Sequence, residues 1–227
     1  MNSKRQTTWE VRWSNPDFAP AWAGRDVPTE VVEAIKSGWL AASGRVLDGG
    51  CGTGELAAWF HQQNYESLGI DIAPSAISKA RALHDEGGRG ELRFEVIDIC
   101  EQVPMGGPFD IIVDRGCLHG IPKSLKNQYA KNIAAVSHDL TRLLVFMRIS
   151  RGPVWLRRLP FARRIERWFH RRRVASVFRG SFTIEHVGLT DLRGVMAAGE
   201  MPGVVYYLIR SPSAVRGLAP GSASTAS

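Results

Sequence analysis

Short apolar runs alternate along the chain with longer segments in which apolar residues recur every three or four positions. RVLDGG (45–50), ESLGIDI (66–72), ELRFEVIDI (91–99), FDIIVDRG (109–116) and TRLLVFMRIS (141–150) have the length and the branched or aromatic content of strands. ELAAWFHQQN (55–64), APSAISKARALHDEG (73–87) and SLKNQYAKNIAAVSHDL (124–140) between them have helical spacing. The second of these opens on Pro74 and closes at Gly87–Gly88, the usual places for those residue types. Strands alternating with helices predict βαβ units with right-handed crossovers and a parallel sheet covered on both faces. SFTIEHVGLT (181–190) and GVVYYLIRS (203–211) are two further strand candidates. The expected fold is therefore α/β, a doubly wound, mostly parallel, seven-stranded Rossmann-like sheet.

Ahead of the first strand, VPTEVVEAIKSGWL (27–40) reads as an amphipathic helix with Pro28 at its start and Gly38 near its end. The first eight residues are polar and are expected to fray. Trp9, Trp13, Phe18 and Trp22 then fall in quick succession, an aromatic density that a mere tail does not need. The last stretch, 211–227, is rich in Ser, Ala, Gly and Pro and is expected to be disordered.

Length and composition change this picture little. At 227 residues and 44% hydrophobic content, one domain over 1–210 is expected. There is no apolar run of about 20 residues to span a membrane, and the opening MNSKRQTTWEVRW lacks the apolar stretch of a secretory signal. Cys51, Cys100 and Cys117 form no C-x-x-C pair and read as reduced thiols, which places the protein in the cytoplasm. The six histidines are scattered, and no metal site is expected.

Charge changes it more. Residues 151–180 hold ten arginines against the single Glu166, a net +9, so the rest of the chain carries −2 of the total +7. The chain is a nearly neutral domain with one basic insert before the last two strands. After Pro160, the residues Phe161, Ile165, Trp168 and Phe169 share one helical face. Three readings of this insert stay open: a helix packed on the sheet with solvated arginines, a cap over an acceptor pocket, or a surface for anionic lipid or nucleic acid. Peripheral membrane contact belongs to the third. Nucleic acid is not the expected partner, because no separate RNA-binding module fits the length.

The candidate chemistry begins at VLDGGCGTGELAAWF (46–60), where a strand runs into Asp48 and the alternating Gly50, Gly52 and Gly54. In doubly wound sheets a glycine-rich first turn marks the ligand site beyond the carboxyl ends of the strands. The dinucleotide fingerprint that begins at Gly50 would need glycine at position 55, which is Glu55. An acid there suits a positively charged ligand better than a pyrophosphate. Asp71, Asp98 and Asp114 end the next three strands, so four acids are expected along one rim of the sheet. Asp71 is placed to accept from ribose hydroxyls, and Asp98 from an exocyclic adenine amine.

DGGCGTG, GIDIAPSAI, FEVIDI and FDIIVDRGCLHGIP together resemble the successive motifs of class I S-adenosylmethionine (SAM)-dependent methyltransferases. WEVRWSNPDFAPAW is similar to the aromatic lead-in of the thiopurine S-methyltransferase-like branch. The resemblance implies a methyltransferase fold with SAM as cofactor. It implies that Gly50, Cys51 and Gly52 bring backbone against the methionine part, and that Asp48 holds the loop or the ammonium. Asp71 and Ile72 would hold the ribose and pack near the adenine, Asp98 and Ile99 would take the adenine amine and face, and Asp114 or Arg115 would approach the methionine end. Trp9 and Trp13 could close over the sulfonium, since aromatic faces attract cations; packing as core anchors is the alternative. The chain departs from the family in reading SHDLTRLLVF where many members have a Pro-Gly-Gly turn before the fifth strand.

Methyl transfer to a phenol or alcohol gains from a general base, whereas a thiol or heterocyclic nitrogen needs little help. His119, five residues beyond Asp114, is the candidate base, with helix capping or packing as its other reading. The expected function is transfer of the SAM methyl group to a small acceptor. A SAM- or nucleotide-binding regulatory protein, an RNA methyltransferase using the basic insert, and a nicotinamide oxidoreductase remain as alternatives.

Overall fold

The apolar runs pair into one seven-stranded sheet in the order β3-β2-β1-β4-β5-β7-β6. The computed structural model describes residues 4–18, 20, 27–84, 91–148, 171–192 and 202–211. Its strands are β1 (Arg45–Gly49), β2 (Glu66–Asp71), β3 (Leu92–Val96), β4 (Phe109–Arg115), β5 (Ser137–Arg148), β6 (Phe182–Asp191) and β7 (Pro202–Arg210). The first five are parallel, and β7 runs antiparallel to both β5 and β6, so the sheet is mixed. β1 lies between β2 and β4, which puts the reversal of strand order at its carboxyl end.

β1 and β2 are buried along nearly their whole length, as strands covered on both faces must be. On one face, α2 (Thr29–Lys36) and α3 (Glu55–Gln62) set Val31, Ala34 and Phe60 against Val46, Ile111, Val113 and Leu144. On the other, α6 (Lys126–Ala135), the helical residues 171–177 and the turn after them set Tyr129, Ile133, Val174 and Phe178 against Leu47, Ile112, Leu143 and Val145. α4 (Pro74–Leu83) packs beside α3 over β3 through Ile77, Ala80 and Phe94.

Two expectations are corrected. The first eight residues do not fray as a unit: from Lys4 onward they form α1 (Lys4–Ser14), which lies on α4 through Trp13, Ala73 and Ala76. The helix expected to run to residue 140 stops at Ala135. Ser137 Oγ donates back to the Ile133 carbonyl, and His138 N–H donates to Thr141 Oγ1, which itself donates to the Phe109 carbonyl. Those side-chain bonds close the helix and begin β5 four residues early. The expected helix end at Gly87–Gly88, most of the basic insert and the tail from 212 lie outside the described residues. No helix among the described residues is long and apolar enough to cross a membrane.

Candidate active site

A cavity of about 180 Å³ opens at the carboxyl ends of β1, β2, β4 and β5, where the strand order reverses. Its floor is the turn from β1 into α3. Gly50, Gly52 and Gly54 all have positive φ, at 76°, 56° and 82°, conformations that side-chain-bearing residues rarely adopt. The N–H groups of Gly50 and Cys51 both donate to the Ile70 carbonyl, at 2.8 and 2.9 Å, which fixes the turn to β2. A methyl group on Gly50 would stand 2.7 Å from Cys117 Cβ, so α5 (Cys117–Gly120) rests directly on this glycine.

Of the four strand-end acids, Asp48, Asp71 and Asp98 line the cavity. Burial pushes the Asp48 carboxyl up to about 7; Arg115 opposes the rise, while Glu55 and Asp114 add to it. Burial also raises Asp71, although its two oxygens accept the N–H of Gly52 at 3.1 Å and of Ala73 at 2.9 Å. Asp98 accepts the Cys100 N–H and forms an ion pair with Arg5, whose guanidinium also reaches Cys100 Sγ at 2.9 Å.

Asp114 is the exception. It is fully buried, does not line the cavity, and accepts the N–H of Gly116 and Leu118 and the hydroxyl of Tyr129 at 2.6 Å. Burial pushes its pKa up to about 6 against those bonds. Its carboxylate caps the first turn of α5, the common structural role of an Asp in that place. The rim of four acids expected from the sequence is thus a rim of three, and Arg115 lines the cavity beside it.

Cys51, Ile72, Ile99, Trp9 and Trp13 also line the cavity. The Trp13 ring lies 3.2 Å from where a Gly52 Cβ would be, so it covers the glycine turn. Trp9 carries the Arg12 guanidinium 4.8 Å from its ring centre. Helix α1 is held over the opening at two places, by Arg5 on Asp98 and by Glu10, which accepts the N–H and hydroxyl of Ser75 at the start of α4. Burial raises the thiol pKa of Cys51 and Cys117 well above the ordinary value, so both stay protonated and act as small apolar groups.

His119 stands at the mouth on α5, with Gly116 (φ 104°) folding beneath it. Its pKa is lowered by partial burial and by the positive charges of Lys126 and Arg148, so it is neutral near pH 7. Sequence reasoning missed Arg5, Cys117, Ile121, Arg148 and Leu192 as cavity residues. Arg5 pairs with a partner 93 positions away, which no local pattern reveals. Among the described residues no group of His, Cys, Asp or Glu could hold a metal ion.

Residues 46–139 match a family described as a methyltransferase domain. A 2-heptyl-1-hydroxyquinolin-4(1H)-one methyltransferase of Mycobacteroides abscessus is 31% identical over 114 residues, covering 50% of this chain and 49% of that protein. An uncharacterized methyltransferase of Schizosaccharomyces pombe is 31% identical over 94 residues, covering 41% of this chain and 64% of its own. The chain thus spans about half the length of the first relative and under two thirds of the second. Among solved structures, one from work on the conversion of a disulfide bond into a thioacetal group during echinomycin biosynthesis superimposes with a TM-score of 0.70 at 23% identity, covering 90% of this chain and 92% of that one. The N-methyltransferase NodS of Bradyrhizobium japonicum, bound to S-adenosylhomocysteine, gives 0.64 at 14% identity, covering 92% and 99%. Both structural likenesses are of fold. The matching segment 46–139 holds the glycine turn, the reversal of strand order at β1 and all four strand-end acids, and it is this segment that is similar to a methyltransferase domain.

Proposed function

We propose that the protein transfers a methyl group from SAM to a small apolar or aromatic acceptor at a hydroxyl, thiol or heterocyclic nitrogen, with oxygen or sulfur favoured. The observation that carries this reading is the buried Asp48 beside the glycine turn, with Glu55 and Asp71 lining the same cavity. An acid held up to about 7 by burial is a group that a cationic ligand relieves. A ligand with an ammonium and a sulfonium therefore fits this donor set, and a pyrophosphate does not. The acceptor class draws on the Mycobacteroides relative, whose name specifies a small hydroxyquinolone.

SAM, when bound, supplies an activated methyl group on a sulfonium. In this reading Gly50, Cys51 and Gly52 present backbone to its methionine part, and Asp48 holds the turn or the ammonium. Asp71 and Ile72 serve the ribose, and Ile99 packs on the adenine. Asp98 reaches the adenine amine only by sharing its carboxylate with Arg5, since that ion pair is already made. Trp9 and Trp13 exclude water from above, and His119 holds and moves the acceptor's proton. Alignment of two bound reactants can lower a barrier by roughly 7–11 kcal/mol, so positioning carries most of the rate.

Calorimetric titration with SAM, S-adenosylhomocysteine and NAD in parallel tests the cofactor. The first two are expected to bind and NAD is not. Binding of NAD alone, or of nothing, would overturn the reading. The ordinary carboxylate range lies well below the pKa of Asp48, so cation binding must expel its proton. SAM affinity is therefore expected to rise between about pH 6 and pH 8 with proton release, and Asp48→Asn is expected to remove that rise. Asp71→Ala is expected to weaken SAM about tenfold or more, the loss of one well-made hydrogen bond to a charged group. Unchanged affinity would mean that the ribose contact is misassigned. Formation of S-adenosylhomocysteine with 2-heptyl-1-hydroxyquinolin-4(1H)-one, a thiophenol or a heterocyclic amine distinguishes an enzyme from a SAM-binding regulatory protein, which would bind and make none.

A further inference from the structure

The cavity is electrically divided. From β1 to β3 its wall carries Asp48, Glu55, Asp71 and Asp98, with Arg5 already committed to Asp98. From β4 to β5 it carries Arg115, His119 and Arg148, and no carboxylate from β4, α5 or β5 reaches it. Arg115 bears on Asp48 and belongs with the acidic side. Arg148, at the last position of β5, is exposed and has no ion pair among the described residues. Lys126, at the start of α6, is half-buried outside the cavity lining, acts on His119 through its charge, and likewise has no ion pair among them. Asp114, the acid whose charge acts on Lys126, spends its oxygens on Tyr129 and the α5 turn. Partial burial of an ammonium without a close counter-ion is unfavourable, and burial together with Arg173 does lower the Lys126 pKa against the pull of Asp114. Cys117, Ile121 and Leu192 add apolar wall to the same cavity.

We infer that the β4–α5–β5 side of the cavity is an anion-accepting subsite, in which Arg148, supported by Lys126, binds an anionic oxygen on the methyl acceptor. The acceptor class is then a small aromatic or apolar molecule bearing either a fixed carboxylate or a hydroxyl acidic enough to arrive ionised. This inference rests on the cavity being the methyl-transfer site. Its physical basis is separate: the acidic side suits a cationic donor, and the basic side suits an anionic acceptor. A guanidinium facing a carboxylate or phenolate makes charge-assisted hydrogen bonds, about twice as strong as neutral ones.

The test is calorimetry on the full chain at mildly alkaline pH, with and without saturating S-adenosylhomocysteine. The probes are benzoate and 4-nitrophenolate against the uncharged benzamide and 4-nitroaniline. Each anion is set against its neutral counterpart, and at least one is expected to bind about tenfold more tightly or better. Which anion gains more distinguishes a fixed carboxylate from an ionised hydroxyl. Arg148→Gln is expected to remove most of that advantage and Arg148→Lys to keep part of it; the exposed position of Arg148 leaves the melting temperature as a check on folding. Neutral probes binding as tightly as the anions, anions that fail to bind, or an advantage that survives in Arg148→Gln would each overturn the inference. If S-adenosylhomocysteine binds and the anions do not, the subsite fails and the methyltransferase reading stands. If S-adenosylhomocysteine itself does not bind, the methyltransferase reading fails, and the charge preference is still measured on the unloaded protein.

Discussion

Gly50→Ala is expected to destabilise the fold by about 2–5 kcal/mol and to abolish measurable SAM binding, because two separate costs fall on one methyl group. The first is conformational: at φ 76° a residue with a Cβ meets its own backbone, at roughly 1–2 kcal/mol. The second is steric: the new carbon would stand 2.7 Å from Cys117 Cβ, and forcing atoms into a filled site adds about 1–3 kcal/mol. Neither neighbour can give way easily. The Gly50 N–H is bonded to Ile70 at 2.8 Å, and Cys117 opens the short helix that Asp114 caps. Gly38 is the control. It has nearly the same φ, 75°, but nothing within 4 Å of its Cβ position, so Gly38→Ala is expected to show the conformational cost alone. Urea unfolding of both variants separates the two contributions. A Cys117→Gly partner completes the cycle, since removing the clashing carbon should recover part of the Gly50→Ala loss and no part of the Gly38→Ala loss. Equal destabilisation at the two glycines would mean that α5 does not rest on the turn.

What the sequence revealed and what it hid divide along physical lines. The end of β2 at Asp71 and the start of α4 at Pro74 were legible because they rest on local pattern: an apolar run, a terminal acid, a proline at the first helical position. The direction of β7 was not, since antiparallel entry beside β5 depends on which edge is free once five strands have assembled. Asp114 looked like its companions because a strand-end acid reads alike whether it faces a cavity or caps the next helix. The hydroxyl of Tyr129, fifteen residues on, turns it inward. Arg5 looked like part of a frayed end because a lone basic residue in a polar stretch carries no period, and its purpose exists only when α1 lies across Asp98. Arg148 was hidden for a different reason. Ending a strand with arginine is ordinary, and its significance comes from the absence of acids among the described residues of the β4–β5 wall, a property of the assembled cavity. Reading along a chain therefore finds groups that act through local backbone and misses those that act through a field.

His119→Ala is expected to slow methylation of a weakly acidic hydroxyl by about 10²- to 10⁴-fold, the usual value of a well-placed general base. The side chain is at the cavity mouth, and burial with the charges of Lys126 and Arg148 holds its pKa below the ordinary value, so the neutral, proton-accepting form dominates at pH 7. Its activity limb accordingly lies on the acid side: in the wild type the rate on a weak hydroxyl falls only below the ordinary imidazole range, where the ring takes its own proton. That limb is expected to vanish in the alanine variant. The same cations that keep His119 neutral also favour an acceptor that has already lost its proton, and this makes the loss depend on the acceptor. An aromatic thiol or an acidic phenol arrives largely ionised and needs no base, so its rate in His119→Ala is expected to fall several-fold at most. The measurement is kcat on a graded series of phenols and thiols in wild type and variant, each across pH. A loss that shrinks as acceptor acidity rises assigns the proton to His119. An equal loss for every acceptor would show that the ring only shapes the cavity, and would leave Arg148 and Lys126 alone to prepare the nucleophile.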